Sequence, residues 1–481
     1  MIAAAATVAL AAPPVKLVLD TDMGGGACRD VDDVVALCIA HALVDNGEAE
    51  LLAVVQDTAP PEIAGAISVI NHWYGRDDIP IGAYKGSGLT LAGQSPLTYV
   101  DSLVQHFPSP VRSSAEVPDA LDVYRKALAA SPPASVVISS VGLMTNLEVL
   151  LRSGPDAHSP LTGYDLVAEK VTLLAVMAGE YPSSRRMGRP ECNACGCYNG
   201  ADRTSQATAA AAASYVTAHM PPSVRIFYLG YSDGDHVKTG AAMETCAPTT
   251  NPCRHALMDF RDRADWGWAP GGRSSYDPLT TLLAVRGVSR AGTGFSFCDD
   301  CDGVNAISAA DGHNHWVQGP PSNQSYVVLQ DREVAGEAID ALLCQGRRAS
   351  PPPPPPSPAP LPPPPPPPPS PPPPSASPVL QPQSHATHHR HHHPSPPPVP
   401  SPPPTEFDSF TVAGVVFVIP VLIVVGARAA WLMAHNFFSE GSSESPRAGL
   451  RGQDAAWRTA EVEFPVAAEE HRPRRVLRGV S

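Results

Sequence analysis

The sequence is short of positive charge. It has 33 lysine and arginine residues against 47 aspartate and glutamate residues, which gives a formal net charge of −14. Binding to the phosphates of nucleic acids requires a basic surface. This shortage therefore argues against nucleic acid as a partner.

The N-terminal segment lacks the basic residues with which a secretory signal peptide begins. Residues 1–12, "MIAAAATVALAA", are apolar or small, as in the central part of such a peptide. We interpret them as a residual signal segment. The sequence leaves open whether this N-terminus is complete.

Composition divides the rest of the chain into four parts. Residues 13–348 have the mixed composition of one large globular domain, and residues 349–405 are mostly proline with a histidine patch. Residues 410–434 open with a run of about eighteen uncharged residues, which is long enough to span a membrane as a helix. Residues 435–481 form a polar tail.

Arginine is distributed unevenly around the apolar run. The proline-rich linker has only Arg390, whereas the tail contains several arginines. The positive-inside rule then predicts a single-pass type I membrane protein with a cytoplasmic tail and an extracellular or lumenal domain. The linker resembles hydroxyproline-rich cell-wall glycoproteins, which implies an extended spacer and association with a cell wall.

The ten cysteines are concentrated in the predicted domain, several of them closely spaced. On the outer side of a membrane such cysteines indicate disulfides, although spacing does not fix their pairing. The stretches "CNACGC" and "CDDC" are also compatible with zinc ligation. The predicted topology favours disulfides.

Short apolar runs alternate with helical patterns along the domain. Strand-like runs such as "VKLVLD", "AELLAVVQD", "SVVISSVG", "KVTLLAVMAG" and "VRIFYLG" are separated by segments with helical spacing. This alternation predicts an α/β domain with an open, mostly parallel, Rossmann-like sheet and helices on both faces. Such sheets bind ligands beyond the carboxyl ends of their strands.

Five aspartates follow the first strand-like run, in "LDTDMGGGACRDVDD". They are Asp20, Asp22, Asp30, Asp32 and Asp33. Carboxylates so close together need a counter-charge, and a hard divalent cation is the simplest one. The alternative is that Asp32 or Asp33 caps the helix that follows.

Together with three later stretches, this segment resembles the inosine/uridine-preferring nucleoside hydrolase family. The matching stretches are "LDTDMG…DVDDVVAL" (19–37), "VGLMTNLEVLL" (141–151), "VMAG" with "ECN" (176–179 and 191–193) and "YDPLTTLLAV" (276–285). The resemblance spans about residues 15 to 345. It implies hydrolysis of the N-glycosidic bond of ribonucleosides, giving free base and ribose.

The resemblance also implies roles for individual residues. Asp22, Asp33 and Asp277, with the backbone carbonyl of Thr145, would ligate Ca²⁺, and Asp22 would activate a water molecule as general base. The ribose hydroxyls would be bound by Asp32, Glu191 and Asn193. In this scheme calcium lowers the pKa of the water, and carboxylates stabilise the positive charge that develops on the sugar.

The sequence departs from the family pattern at three places. Nine residues, "MGGGACRDV", separate Asp22 from Asp32 where the family has about three, so this glycine-rich loop must fold back. Asp57 stands where members often have glycine-asparagine, as a ribose or metal contact. Tyr276 replaces the histidine that protonates the leaving base.

Three side chains are candidates for the missing acid. They are Tyr276 itself and His313 and His315 in "DGHNHW". The alternative for the two histidines is a polar loop beside a packed tryptophan.

Two other functions stay open. The domain could be a non-catalytic nucleoside or ribose receptor or a wall-anchoring module, which the Tyr276 replacement and the long loop favour. It could also be a haloacid dehalogenase-type phosphohydrolase, because "LVLDTD" fits the start of that family. That family expects threonine or valine next, where this chain has Met23-Gly24. The preferred base and the oligomeric state, a homo-oligomer included, are not determined by the sequence.

Overall fold

The computed structural model describes residues 12–24, 30–90, 98–182, 190–197, 202–264, 267–288, 292–297 and 301–347. The chain divides into two units, residues 1–363 and 364–481, and every described residue belongs to the first. The proline-rich linker, the predicted membrane helix and the polar tail lie outside the described residues. Among the residues that are described, no helix has the length and apolar character needed to cross a membrane.

The described residues form the following elements. The strands are β1 (Val15–Thr21), β2 (Ala49–Gln56), β3 (Ile81–Ala83), β4 (Val136–Ser140), β5 (Val171–Met177), β6 (Arg225–Leu229), β7 (Lys238–Gly240), β8 (Trp268–Ala269), β9 (Gly272–Ser274), β10 (Phe295–Phe297), β11 (Gly303–Ile307), β12 (Asn314–Gln318) and β13 (Gln324–Leu329). The α-helices are α1 (Asp32–Asp45), α2 (Glu62–Trp73), α3 (Thr98–His106), α4 (Ala120–Ala130), α5 (Thr145–Arg152), α6 (Gly163–Lys170), α7 (Cys192–Cys195), α8 (Arg203–His219), α9 (Tyr231–Asp235), α10 (Met243–Cys246), α11 (Pro252–Arg263), α12 (Tyr276–Arg286) and α13 (Arg332–Cys344).

The main sheet of this part of the chain has eight strands in the order β10-β13-β6-β5-β4-β1-β2-β3. Neighbouring strands are parallel except β10, which runs antiparallel to β13. The predicted α/β class with a mostly parallel sheet is confirmed. The order β3-β2-β1-β4-β5-β6 is that of a Rossmann fold, and it reverses between β1 and β4.

The five strand-like runs of the sequence are apolar because helices cover both faces of the sheet. In β1, Leu17 and Leu19 point into one core together with Leu37 of α1, while Val18 points into a second core with Leu147 of α5. Alternate residues of a strand face opposite sides of a sheet, so a strand buried on both sides has no polar alternation.

Two smaller sheets flank the main one. Strands β7, β9 and β8 form an antiparallel sheet that leads into α12, and β11 and β12 form a hairpin. Their strands are short, and no apolar run in the sequence predicted them. In the first of these sheets, β9 ends at Ser274, and α12 begins at Tyr276.

Disulfides are present in the domain, as the cysteine content predicts. Between residues that the structure describes, the pairs are Cys38–Cys253, Cys246–Cys344 and Cys195–Cys197. The first joins α1 to α11, the second joins the ends of α10 and α13, and the third closes the turn after α7. The prediction of disulfides rather than zinc ligands is confirmed for these pairs.

Removal of the Cys38–Cys253 bond by Cys38→Ala with Cys253→Ala should lower the free energy of unfolding by about 2–5 kcal/mol, since the bond closes a long loop in the unfolded chain. The two residues are 215 positions apart. Denaturant unfolding under non-reducing conditions measures the change. Cys195→Ala with Cys197→Ala, whose residues are 2 apart, is the control and should change stability much less. Equal unfolding midpoints for wild type and the Cys38/Cys253 variant would contradict this expectation.

Candidate active site

Three buried aspartates meet where α1 and α12 begin. Asp32 and Asp33 are the first two residues of α1, and Asp277 is the second residue of α12. One carboxylate oxygen of each lies within 4.8 Å of those of the other two. Burial raises the pKa of each carboxyl well above its usual value, and repulsion between neighbouring acids raises it further. We call these three residues the aspartate cluster.

The carboxylate of Asp32 joins the two helices. Its Oδ2 atom accepts hydrogen bonds from the backbone N–H groups of Tyr276, at 2.9 Å, and Asp277, at 3.1 Å. These amides have no acceptor within their own helix because they belong to its first turn. Asp32 therefore caps α12. The alternative that an aspartate side chain caps α1 is wrong, since the N-cap of α1 is Val31 and makes no side-chain cap bond.

Asp22, the residue after β1, lies beside the cluster, but the group of carboxylates close enough to share an ion contains Asp32 and not the predicted ligand Asp22. It is buried and directly follows Thr21, whose hydroxyl donates a hydrogen bond to Oδ1 of Asp33. The charge of Asp22 is, after burial, the largest cause of the raised pKa of Asp33. Asp22 therefore lies close to Asp33, and residues 25–29 of the loop between them lie outside the described residues.

The segment after β4 closes the opposite side of the site. A Cβ atom on Gly142 would lie 2.6 Å from the backbone nitrogen of Asp22 and would also meet the carboxylate of Asp57. Thr145, the first residue of α5, donates its hydroxyl to the backbone oxygen of Asp57 at 2.7 Å. Burial raises the pKa of Asp57 well above its usual value, and neighbouring aspartates add to the effect. Asp57 therefore belongs to the same group of acids.

Asp20 is a further buried acid at this edge, and the sequence analysis gave it no role of its own. Its carboxylate accepts hydrogen bonds from the hydroxyl of Tyr124, at 2.8 Å, and the side-chain amide of Asn146, at 2.9 Å. Burial raises its pKa to about 7. Asn146 lies in the Thr-Asn stretch quoted from the sequence, so that stretch pointed to it, whereas no sequence signal pointed to Tyr124.

Glu191 and Asn193 lie at the start of α7, where the sequence analysis places ribose contacts. The carboxylate of Glu191 accepts backbone N–H bonds from Asn193 at 3.0 Å and from Gly179 at 3.1 Å. The side-chain amide of Asn193 donates to the backbone oxygens of Val141 and Met177, both at 3.0 Å. These bonds attach α7 to the ends of β4 and β5, beside the aspartates that follow β1.

Tyr276 lies beside the aspartate cluster, but its hydroxyl is engaged elsewhere. The hydroxyl donates to Oδ1 of Asp235 at 3.1 Å, and the ring packs against Tyr231 with 5.0 Å between centroids. Burial raises the pKa of Tyr276 well above its usual value. A phenol with a raised pKa gives up its proton less readily than a histidine.

His313 and His315 lie at the hairpin of β11 and β12. Asn314, between them, donates its side-chain amide to the backbone oxygen of Glu180 at 3.0 Å, which attaches the hairpin near the end of β5. His313 is 3.3 Å from a carboxylate oxygen of Asp311, and His315 is exposed.

The aspartate cluster can hold a metal ion. Its donors are all carboxylate oxygens, the ligands that hard divalent cations such as calcium and magnesium prefer. The three acids are buried together with Asp22 and Asp57, and only an opposite charge allows several of them to ionise at once. The donor set therefore fits a hard divalent cation such as calcium or magnesium better than zinc, which favours nitrogen and sulfur ligands in structural sites.

No model of a known protein family matches the chain, and no curated protein matches it. Among solved structures the chain resembles a plant nucleoside hydrolase, the PpNRh1 enzyme, at 17% identity over 69% of this chain and 99% of that one, with a TM-score of 0.48. An inosine-guanosine nucleoside hydrolase is 15% identical over 68% and 97% of the two chains, with a TM-score of 0.48. The type III effector XopQ, complexed with adenosine diphosphate ribose, is 18% identical over 69% and 94%, with a TM-score of 0.46.

Glu191 should make stability depend on pH. Burial raises its pKa from 4.5 to about 7, so its contribution is favourable at low pH and is lost as pH rises through about 7. Relative to Glu191→Gln, the wild type should lose on the order of 3 kcal/mol of unfolding free energy between pH 4 and pH 9. Denaturant unfolding of both proteins in chelator across this range measures the difference. Parallel pH profiles would contradict the expected ionisation.

Proposed function

We propose that this chain hydrolyses the N-glycosidic bond of ribonucleosides and releases free base and ribose. The observation that carries the proposal is the aspartate cluster, buried at the carboxyl edge of the sheet with Asp22 beside it. The site lies next to the point where the strand order reverses, which is where open α/β sheets bind ligands. The family motifs of the sequence support the same reaction.

Within this proposal, calcium is the metal. Asp22, Asp33 and Asp277 would hold it with their carboxylates, and the backbone carbonyl of Thr145 would complete the set. A bound calcium ion supplies positive charge that holds a water molecule and lowers its pKa. The donor chemistry supports this assignment because calcium takes several carboxylate and carbonyl oxygens.

The protein's own groups then act on water and ribose. The carboxylate of Asp22 accepts the proton that the attacking water loses. As the bond to the base breaks, positive charge develops on the sugar ring, and the surrounding carboxylates stabilise it. Asp32, Asp57, Glu191 and Asn193 would hold the ribose hydroxyls. Backbone hydrogen bonds already fix the side chains of Asp32 and Glu191, so they would bind ribose without losing much side-chain freedom.

A non-catalytic nucleoside receptor is the second candidate. The observation that favours it is the hydrogen bond between Tyr276 and Asp235, which commits the hydroxyl at the family's acid position. His313 and His315 remain candidates for the acid that protonates the leaving base. Ribose release separates the two functions, since a receptor binds nucleoside without cleaving it.

We also propose that the domain faces the outside of a membrane or a lumen, joined by the proline-rich linker to a C-terminal membrane helix. The disulfides Cys38–Cys253 and Cys246–Cys344 support this proposal because such bonds persist in oxidising compartments. Protease should release the domain from intact cells if it is extracellular, and should leave it intact in sealed, cytoplasmic-side-out vesicles if it is lumenal. Cleavage of the domain in such sealed vesicles, without any cleavage on intact cells, would contradict this topology.

Asp22→Asn should lower the rate of ribose release about 10²- to 10⁴-fold. Loss of a general base typically has an effect of this size, about 3 to 5 kcal/mol in the barrier. Free ribose is measured with inosine, uridine, adenosine and guanosine, using the full-length chain with calcium or with chelator. The control Asp78→Asn removes an exposed carboxylate and should leave the rate unchanged. Nucleoside binding without release in the wild type would identify a receptor, and activity that survives chelator would overturn the metal assignment.

Tyr276→Phe should lower kcat by less than about tenfold. Loss of a general acid costs 10² to 10⁴, but the hydroxyl of Tyr276 is bonded to Asp235 and its raised pKa makes it a weak acid. Steady-state kinetics with the purine nucleosides measures kcat, and Tyr164→Phe, at a tyrosine whose side chain is exposed, is the control. A loss of a hundredfold or more for Tyr276→Phe alone would assign the acid to Tyr276.

A further inference from the structure

A buried ion pair joins the two segments that lead into α1 and α12. Arg273 donates from Nε to Oδ1 of Asp30 at 2.7 Å and from Nη2 to Oδ2, so the guanidinium holds both carboxylate oxygens. The side chains of Arg273 and Asp30 are only 9% and 10% exposed. Asp30 lies two residues before α1, and Arg273 lies in β9, three residues before α12. The pair therefore bridges the last residues before both helix starts.

Both partners are held in place by further bonds. The hydroxyl of Tyr99 donates to the backbone oxygen of Asp30, and the backbone N–H of Val31 donates to its carboxylate at 2.6 Å. Arg273 also donates from Nη1 to the hydroxyl of Ser274 at 2.9 Å. The ion pair is thus part of a connected network, in which neither side chain can rotate without breaking other bonds.

A role in stability alone does not explain this pair. Burial removes water from both charges, and a buried ion pair of this kind is often no more stabilising than apolar side chains of the same volume. The bidentate guanidinium–carboxylate geometry instead fixes the distance and orientation between the two partners. It therefore fixes the position of α1, which carries Asp33, relative to α12, which carries Asp277.

We propose that the Asp30–Arg273 pair is a positioning device that holds the two halves of the aspartate cluster at the spacing a divalent cation requires. This inference rests on the proposed function, because it concerns the same metal site.

The direction in which Arg273→Met changes the calcium affinity separates a positioning role from a purely electrostatic one. Arg273→Met removes a positive charge and leaves Asp30 negative beside the site, so electrostatics alone predicts tighter cation binding. Loss of positioning predicts the opposite. Changes in the groups that orient metal ligands typically weaken metal binding 10- to 100-fold, and we expect a loss in this range.

The structure supplies a matched control on the same two helices. Arg286, the last residue of α12, makes a bidentate pair with Glu48, just beyond the end of α1, with both nitrogen–oxygen distances 2.9 Å. This pair joins the helices at the ends far from the aspartate cluster. Arg286→Met should therefore change the calcium Kd by less than about twofold, although it breaks the same kind of bond.

The test is a calorimetric calcium titration of the full-length chain, freed of metal with chelator. Arg273→Met should bind calcium 10- to 100-fold more weakly than wild type. The charge-neutral double variant Arg273→Met with Asp30→Asn should be equally weak. Arg273→Lys keeps the charge but loses the bidentate contact, so it should also be weaker, and it serves if the methionine variant does not fold. In the ribose assay the Arg273 variants should need more calcium but regain most of their kcat at saturation.

Three results would overturn the proposal. If Arg273→Met and Arg273→Lys bind calcium as tightly as wild type or tighter, the pair does not position the site, and the proposed metal site stands. If Asp30→Asn weakens binding while Arg273→Met does not, Asp30 acts by itself and the pair is not the device. If the wild-type chain binds neither calcium nor magnesium, the proposed metal site fails and this inference fails with it.

Discussion

Repulsion between buried carboxylates is the constraint on which the rest of the site depends. Asp32, Asp33 and Asp277 come from two helices that are distant in sequence, and burial removes the water that would otherwise screen their charges. Such an arrangement persists only if protons or a cation neutralise it. The three acids are held together by two helix starts, a strand end and an ion pair. These elements keep the carboxylates close to one another although their charges repel.

The strand order explains why the acids meet at this place. The sheet reverses its direction of growth between β1 and β4, so the segments that follow these strands diverge and leave a crevice. Asp22 follows β1, and Gly142 follows β4 with no side chain to fill the space beside it. The backbone therefore approaches closely where a larger residue would displace either Asp22 or Asp57.

Much of the fold was predictable, because it depends on local pattern. The apolar runs of β1, β2, β4, β5 and β6 are continuous, as expected for strands covered on both faces, and the helical spacing of α1, α2 and α8 is regular. The short strands β7, β8 and β9 carry no such pattern. Contacts such as Tyr124 with Asp20 and Arg273 with Asp30 join residues 104 and 243 positions apart, so only the tertiary structure reveals them.

The difference between local pattern and tertiary contact also applies to Asp32. In the sequence alone, an aspartate at a helix start indicates a cap for that same helix. In three dimensions Asp32 caps α12 instead, and it does so from within the aspartate cluster. The N-terminus of a helix carries a partial positive charge, so this contact offsets part of the negative charge of the site. Glu191 caps the start of its own helix α7, since its carboxylate accepts the amides of Asn193 and Ala194. If Asp32 and Glu191 bind ribose as proposed, capping and ligand binding coincide because helix starts provide N–H groups and positive potential.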